Sequence, residues 1–375
     1  MPTLEKISIK GFKSIRDVEV ELRDINVLIG ANGSGKSNFL EVLSFLQAIR
    51  AGNLHDYVAR AGGAERLLHF GSRATNELEI HIFFESEINQ YEIVLETSDV
   101  NTLHPTTEIA YFWDKTRFPE GPAYEDWISP EGYEAGISRQ YRTGVKAHAR
   151  RHLDRWRIYH FHDTSSSAPL KKTADLHDNR FLRPDGSNLA AFLYLLREKY
   201  GDTYNFIRNT VRLAAPFFDD FALAPQALNE DAIRLEWKHR GTDAYFDVSS
   251  LSDGTLRFIA LATLLQQPKE LRPSVILLDE PELGMHPYAI TLLASMVKGA
   301  SVDTQVILAT QSPILLDHFE PEDVLVADRV DGATEFTPQR ADKLEVWLRE
   351  YSLGELWEKN ELGGRPAPER RILSK

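Results

Sequence analysis

The chain has 375 residues, 42% hydrophobic and 26% charged, enough for one large domain or two ordinary ones around a substantial core. Its formal net charge of -13 argues against a surface that binds polyanions everywhere, so any nucleic-acid contact must be local. With no cysteine, disulfides and thiolate metal sites are excluded; with no signal-like or membrane-length apolar run, a soluble, cytoplasmic protein is expected.

In chain order, "INVLIG" (25–30) is a short apolar strand entering a glycine-rich loop. "SNFLEVLSFLQAIRAG" follows with apolar residues at 39, 40, 42, 43, 46 and 49, a helical period that stops at Gly52. From about 76 to 114, "ELEIHIFFE", "QYEIVLE" and "EIAYFWD" alternate apolar with polar residues and predict successive antiparallel strands. Residues 115–185 are irregular, and helices resume over 187–200 and 204–215. A strand pair at "AIRLEWKH" and "AYFDV" leads to "LSDGTLRF", and "SVILLDE" (274–280) has the continuous apolar run of a strand buried on both faces. A helix over 287–299 and a strand over 305–310 close this part, with no internal repeat and no sustained heptad run.

"GANGSGKS", Gly30 to Ser37, matches G-x-x-x-x-G-K-[ST] between a strand and a helix. Glycines let the backbone turn its N–H groups onto an anion, and the helix that follows adds its positive end. Gly30, Asn32, Gly33, Ser34, Gly35, Lys36, Ser37 and Asn38 therefore form a nucleotide site, with Lys36 on the β/γ-phosphates and Ser37 on Mg²⁺. Asp279 and Glu280 end the buried strand where open α/β sheets bind ligands. Asp279 suits Mg²⁺ and Glu280 suits a general base. Ser252 and Gly254 precede a helix beginning near Thr255, a second helix start that favours anions.

The order of phosphate loop, long insertion, LSxG, acid pair and polar-tipped strand resembles the SMC and RecF-like branch of ABC-type ATPase heads. "DEPELGMHP" and "TQSP" are closer still to the bacterial AAA_21 group that includes the heads of the OLD nucleases. The resemblance covers most of residues 1–55 and 245–330. It implies an α/β P-loop NTPase with a mixed core sheet, an antiparallel side sheet and an inserted helical lid. The head would span 1–330: a Walker A lobe at 1–60, antiparallel strands at 76–114, a lid at about 115–230, and a signature and Walker B lobe at 245–330. The tail at 331–375 would pack on it. ATP and Mg²⁺ would be the ligands, with Lys36 and Ser37 on phosphate and metal, Asp279 as Walker B acid, Glu280 as catalytic base, and Lys13 in the segment near the adenine. Ser252 and Gly254 would reach the γ-phosphate of the opposite subunit in an ATP-dependent homodimer. Gln311, at the end of the strand beside the acid pair, stands where many such heads have His; its amide can donate to phosphate and accept from water without titrating near neutral pH.

Departures from the pattern matter too. Asp253 and Thr255 replace residues of the common LSGGQ signature, which speaks against a transporter subunit. Only about 55 residues follow Pro321, too few for the Toprim nuclease of OLD proteins, so a nuclease or other effector would be encoded separately, in DNA maintenance or phage defence. The alternatives are a scaffold that binds nucleotide without hydrolysing it and the ATPase subunit of a transporter.

Other residues remain open. "YHFHDTSSS" (159–167) is the candidate for the loop that links Mg²⁺ to the lid, and His160, His162 and Asp163 are there either as metal ligands or as an ordinary strand. Arg257 faces nucleotide or the surface, and His286 serves an interface or a helix start before Pro287. Residues Arg139 to Arg157 carry seven Lys/Arg against one acid, a solvated face or a contact for DNA in which Tyr141 and Trp156 would stack on bases.

Overall fold

The computed structural model describes residues 4–161, 163–165 and 167–364. Among these described residues there are two compact units, one from the stretches 4–156, 320–351 and 355–364, the other from the described part of 157–319 with 352–354.

The first unit holds a six-stranded antiparallel sheet in the order Ile15–Glu21, Leu4–Phe12, Glu77–Phe84, Asn89–Thr97, Leu103–Phe112 and Tyr124–Trp127. Alternation is clear in Glu77–Phe84, where Leu78, Ile80, Ile82 and Phe84 are fully buried and the residues between them are not. The same unit carries the strand Ile25–Ile29, buried at every residue and parallel to Val324–Val330, which in turn pairs antiparallel with Ala333–Pro338. Parallel and antiparallel pairs thus coexist, as a mixed sheet requires.

The helix Lys36–Ala51 follows the glycine loop and ends at Gly52, whose left-handed backbone lets its N–H reach Ile49. Its buried Phe39, Leu40, Val42, Leu43, Phe45, Leu46 and Ile49 are each worth about 1.5–3 kcal/mol of burial, so packing fixes the helix that carries the loop. A further helix, Val145–Asp154, occupies the middle of the basic stretch.

In the second unit, Val275–Asp279 runs parallel to Gln305–Ala309 with Asp279 opposite Ala309. Both strands are apolar and buried, apart from Asp279 at the tip and Gln305 at the start, as the continuous runs predict. Helices Asp253–Gln266 and Pro287–Ser301 belong to the same unit, with Leu189–Lys199 and Gly201–Ala214. Among the described residues, no helix is long and apolar enough to cross a membrane.

Candidate functional site

The glycine loop has the left-handed backbone and tight surroundings that an anion cradle needs. Gly30 has φ 147° and Gly35 φ 109°, values that side chains rarely adopt; a Cβ at Gly30 would strike the Ala327 carbonyl, and one at Gly35 the Thr334 side chain. The Ser34 hydroxyl is buried without a hydrogen-bond partner, an orphaned polar group inside the cradle. Lys36 is nearly buried and its ammonium donates to the loop's own carbonyls, to Gly30 at 2.7 Å and Ala31 at 3.0 Å. Asn32, Gly33 and Ser37 are exposed. A cradle that a Cβ would fill, with an unsatisfied hydroxyl and a cation folded inward, fits a phosphate group. The Ser37 hydroxyl at its rim fits Mg²⁺.

Contacts distant in sequence brace this loop. Asn38 donates to the Ser14 hydroxyl at 2.6 Å, Ser14 and Thr334 share a hydroxyl contact at 2.7 Å, and Thr334 donates to the Ser34 carbonyl at 2.8 Å. Thr334 is buried and comes from beyond the last strand recognised in the sequence, so no local pattern marked it. Lys13, read as a nucleotide contact, has φ 47° and puts its ammonium 2.5 Å from both Glu41 carboxylate oxygens. Its charge is engaged by the helix that follows the loop.

In the second unit the strand tips converge. Glu280 sits at φ 38°, a left-handed conformation that costs a non-glycine residue roughly 1–3 kcal/mol and gathers at functional sites. Its N–H donates to the Ala309 carbonyl at 2.8 Å, and the Gln311 amide donates to its carboxylate. The structure thus joins Glu280 and Gln311 directly. Asp279 stands at the strand end, half-buried.

Glu282 was not singled out in the sequence. It is buried, accepts from the Thr310 hydroxyl at 2.5 Å and the Gln311 N–H at 3.3 Å, and leaves its second oxygen buried without a partner. Its carboxylate therefore anchors the turn that presents Gln311. Burial holds its carboxyl above the usual range, against the pull of those hydrogen bonds and with the charge of Glu280 adding to the rise. A carboxyl raised on folding penalises the folded state progressively as pH climbs from the unfolded value through the raised one. Glu282→Gln keeps an acceptor for Thr310 and cannot ionise. Its melting temperature should therefore match wild type near pH 4 and exceed it by about 1–3 °C at pH 8, on the order of 1 kcal/mol for one unsatisfied buried group. Equal melting curves at both pH values would reject this role.

Ser252 caps the helix Asp253–Gln266 through the Thr255 N–H at 3.2 Å, so the helix starts two residues earlier than expected. A Cβ on Gly254 would strike the Gly284 carbonyl, which explains glycine there by close packing. Arg257 is neither at the surface nor open to a ligand: it is buried and donates to the carbonyls of Phe161, at 3.0 Å, and Leu283. His286 is an exposed N-cap whose Nδ1 accepts from the Tyr288 N–H at 3.2 Å, flanked by exposed Leu283 and Tyr288.

The basic stretch is largely structural. Trp156 is buried against Phe84 and so is not available for base stacking, and the Tyr141 hydroxyl donates to Gly136 at 2.7 Å. Arg150 donates to the carbonyls of Ile137 and Ser138. Arg139, Arg142, Arg151 and Arg155 remain exposed. The His160 N–H donates to the Pro184 carbonyl at 3.0 Å, while His162 lies outside the described residues.

These sheets, the glycine loop and the acid pair define a P-loop NTPase with the fold of SMC ATPase heads. Two solved structures carry that likeness. One is an Smc head bound to the C-winged helix domain of ScpA, with TM-score 0.60, 17% identity, and 92% of this chain and 99% of that one covered. The other is an Smc head domain with an extended coiled coil bound to the C-terminal domain of ScpA derived from Pyrococcus furiosus, with TM-score 0.56, 16% identity, and coverage of 93% and 99%. The chain belongs to the AAA_21 family, described as AAA domain, putative AbiEii toxin, Type IV TA system, whose model matches residues 25–317. In sequence it is also similar to chromosome partition protein Smc of Pyrococcus furiosus, 28% identical over 161 residues, and of Methanocaldococcus jannaschii, 32% identical over 96 residues. Those matches cover 39% and 25% of this chain but only 13% and 8% of the Smc proteins' length.

Proposed function

We propose that the chain binds ATP with Mg²⁺, hydrolyses it, and acts in the cytoplasm as a nucleotide-gated switch that pairs with a second copy of itself. The observation that carries this reading is the phosphate cradle of Gly30 to Ser37, with the unpartnered Ser34 hydroxyl and the Lys36 ammonium turned inward on loop carbonyls. ATP would draw Lys36 from those carbonyls to the β/γ-phosphates, with loop N–H groups on the phosphate oxygens. Mg²⁺ would supply charge neutralisation on the phosphates, and the Ser37 hydroxyl of the first unit and the Asp279 carboxylate of the second each suit it as a ligand. Glu280 would accept the proton of the attacking water, and Gln311 would hold that carboxylate and sense the phosphate.

Pairing of two copies is supported by the exposed Leu283, His286 and Tyr288, large side chains beside the acid pair, and by the exposed Ser252 at a helix start, with the half-buried Gly254 in its first turn. We place the switch in DNA maintenance or phage defence, acting with an effector such as a nuclease. DNA contact, if made by this chain, would use the exposed Arg139, Arg142, Arg151 and Arg155.

Lys36→Ala tests the cradle. It should weaken ATP binding by at least about 100-fold, as expected for losing a charged phosphate contact, and abolish phosphate release. Binding measured by calorimetry and turnover by phosphate release, both unchanged, would refute the site.

A further inference from the structure

A second constellation lies in the first unit, where the turn after strand Glu77–Phe84 meets the helix in the middle of the basic stretch. The turn between strands Glu77–Phe84 and Asn89–Thr97 holds three consecutive non-glycine residues in left-handed conformation: Glu85 at φ 53°, Ser86 at 59° and Glu87 at 62°. Such strain persists only where the surroundings hold it, and it points to a use. The turn brings the Glu85 carboxylate to the helix Val145–Asp154, where His148 and His152 are four residues apart and so share one face.

We propose that Glu85, His148 and His152 bind one divalent metal ion of the zinc class. The Nε2 atoms of the two histidines are 3.0 Å apart, His148 Nε2 lies 3.1 Å from Glu85 Oε2, and His152 Nε2 lies 3.8 Å from Glu85 Oε1. In a tetrahedral zinc site with bonds of about 2.0–2.1 Å, ligand atoms are roughly 3.4 Å apart, and the three observed separations bracket that value. Two imidazoles and one carboxylate suit zinc and its neighbours, whereas Mg²⁺ and Ca²⁺ prefer an all-oxygen shell.

Packing fixes one ligand in place: His152 is buried and stacked on Phe84, with ring centroids 4.4 Å apart. Asn89 donates to Glu85 Oε2 at 2.6 Å, an outer contact that orients the carboxylate. One contact must give way: Arg151 lies 3.2 Å from His148 Nδ1, which takes up the proton when Nε2 binds metal. Arg151 is exposed and free to swing out. Glu85 and His148 are each about one-third exposed, so water can complete the fourth position. The ion would fasten the strained turn to the helix.

The test is zinc titration of the chelator-stripped, nucleotide-free chain by calorimetry, with Co²⁺ absorption as a readout of tetrahedral geometry. Wild type should take up one equivalent that millimolar Mg²⁺ does not displace. His148→Ala should lose affinity by about 100-fold and Glu85→Gln by about 10- to 100-fold, while Arg151→Ala binds at least as tightly. Circular dichroism checks that the variants fold; should His148→Ala fail, Glu85→Gln and Arg151→Ala carry the same reading. No stoichiometric uptake by wild type, uptake unchanged in Glu85→Gln, or uptake abolished by Ser37→Ala would each overturn the proposal. The last result would assign the ion to the phosphate loop.

Discussion

Glu280→Gln is expected to lower ATP turnover by about 10²–10⁴-fold while leaving ATP binding intact, the range for removing a positioned general base. The substitution is nearly isosteric. The Gln311 amide that donates to Glu280 can still find an oxygen there, so the turn should survive while proton acceptance is lost. The backbone reinforces the point, because φ 38° aims this side chain at a conformational cost that a strand end entering solvent would not sustain. With hydrolysis blocked, ATP should accumulate on the protein and the variant should run as a dimer on a sizing column with ATP and as a monomer without it. A non-hydrolysing scaffold gives the opposite pattern: Lys36→Ala abolishes binding, and Glu280→Gln changes nothing. Unchanged turnover would move the base elsewhere, and one elution volume in both conditions would end the dimer reading.

What the sequence made legible was whatever is written contiguously. Gly30 to Ser37 is one loop whose glycine spacing, lysine and following helix are adjacent in the chain, so a strand, a tight loop and a helix could be expected there before the shape was known. The side-sheet strands were legible because their alternation is a local consequence of having one buried face. Residues that act through distant partners were not. Thr334 is 300 residues from the Ser34 carbonyl it holds, and a lone threonine in a terminal hairpin carries no signature. Glu282 was in plain view in "DEPE", but its role depends on the Thr310 hydroxyl just past the end of the strand Gln305–Ala309. Arg257 read as an open choice because helical spacing shows which turn a residue occupies and not which carbonyls will receive it. In the basic stretch, composition suggested an electrostatic face, whereas tertiary packing buried Trp156 and tied Arg150 to backbone oxygens. His148 and His152 show the same limit. Their four-residue spacing was visible, yet only the fold brings Glu85, 63 residues earlier, to His148.

Thr334 sets up the other large expected effect. Gly35→Ala places a methyl group in the path of the Thr334 hydroxyl and methyl and close to the Ser14 hydroxyl, at a φ of 109° that alanine resists. The backbone term alone is worth roughly 1–3 kcal/mol, or about 5- to 150-fold in an equilibrium. The collision adds to it, because Thr334 is buried and fixed by Ser14 and the Ser34 carbonyl, and so cannot step aside cheaply. ATP affinity should therefore fall by at least about 100-fold, with the melting temperature also lowered. Thr334→Ala alone loses hydroxyl contacts worth about 1 kcal/mol each and should weaken binding only several-fold. The double variant separates the two causes: removing the Thr334 side chain relieves the collision and leaves the backbone strain, so it should bind ATP about tenfold better than Gly35→Ala yet worse than Thr334→Ala. If the double variant binds no better than Gly35→Ala, backbone strain alone accounts for the glycine and Thr334 does not limit the space beside it. If Gly35→Ala binds ATP as wild type does, the loop cannot hold phosphate in the conformation described here.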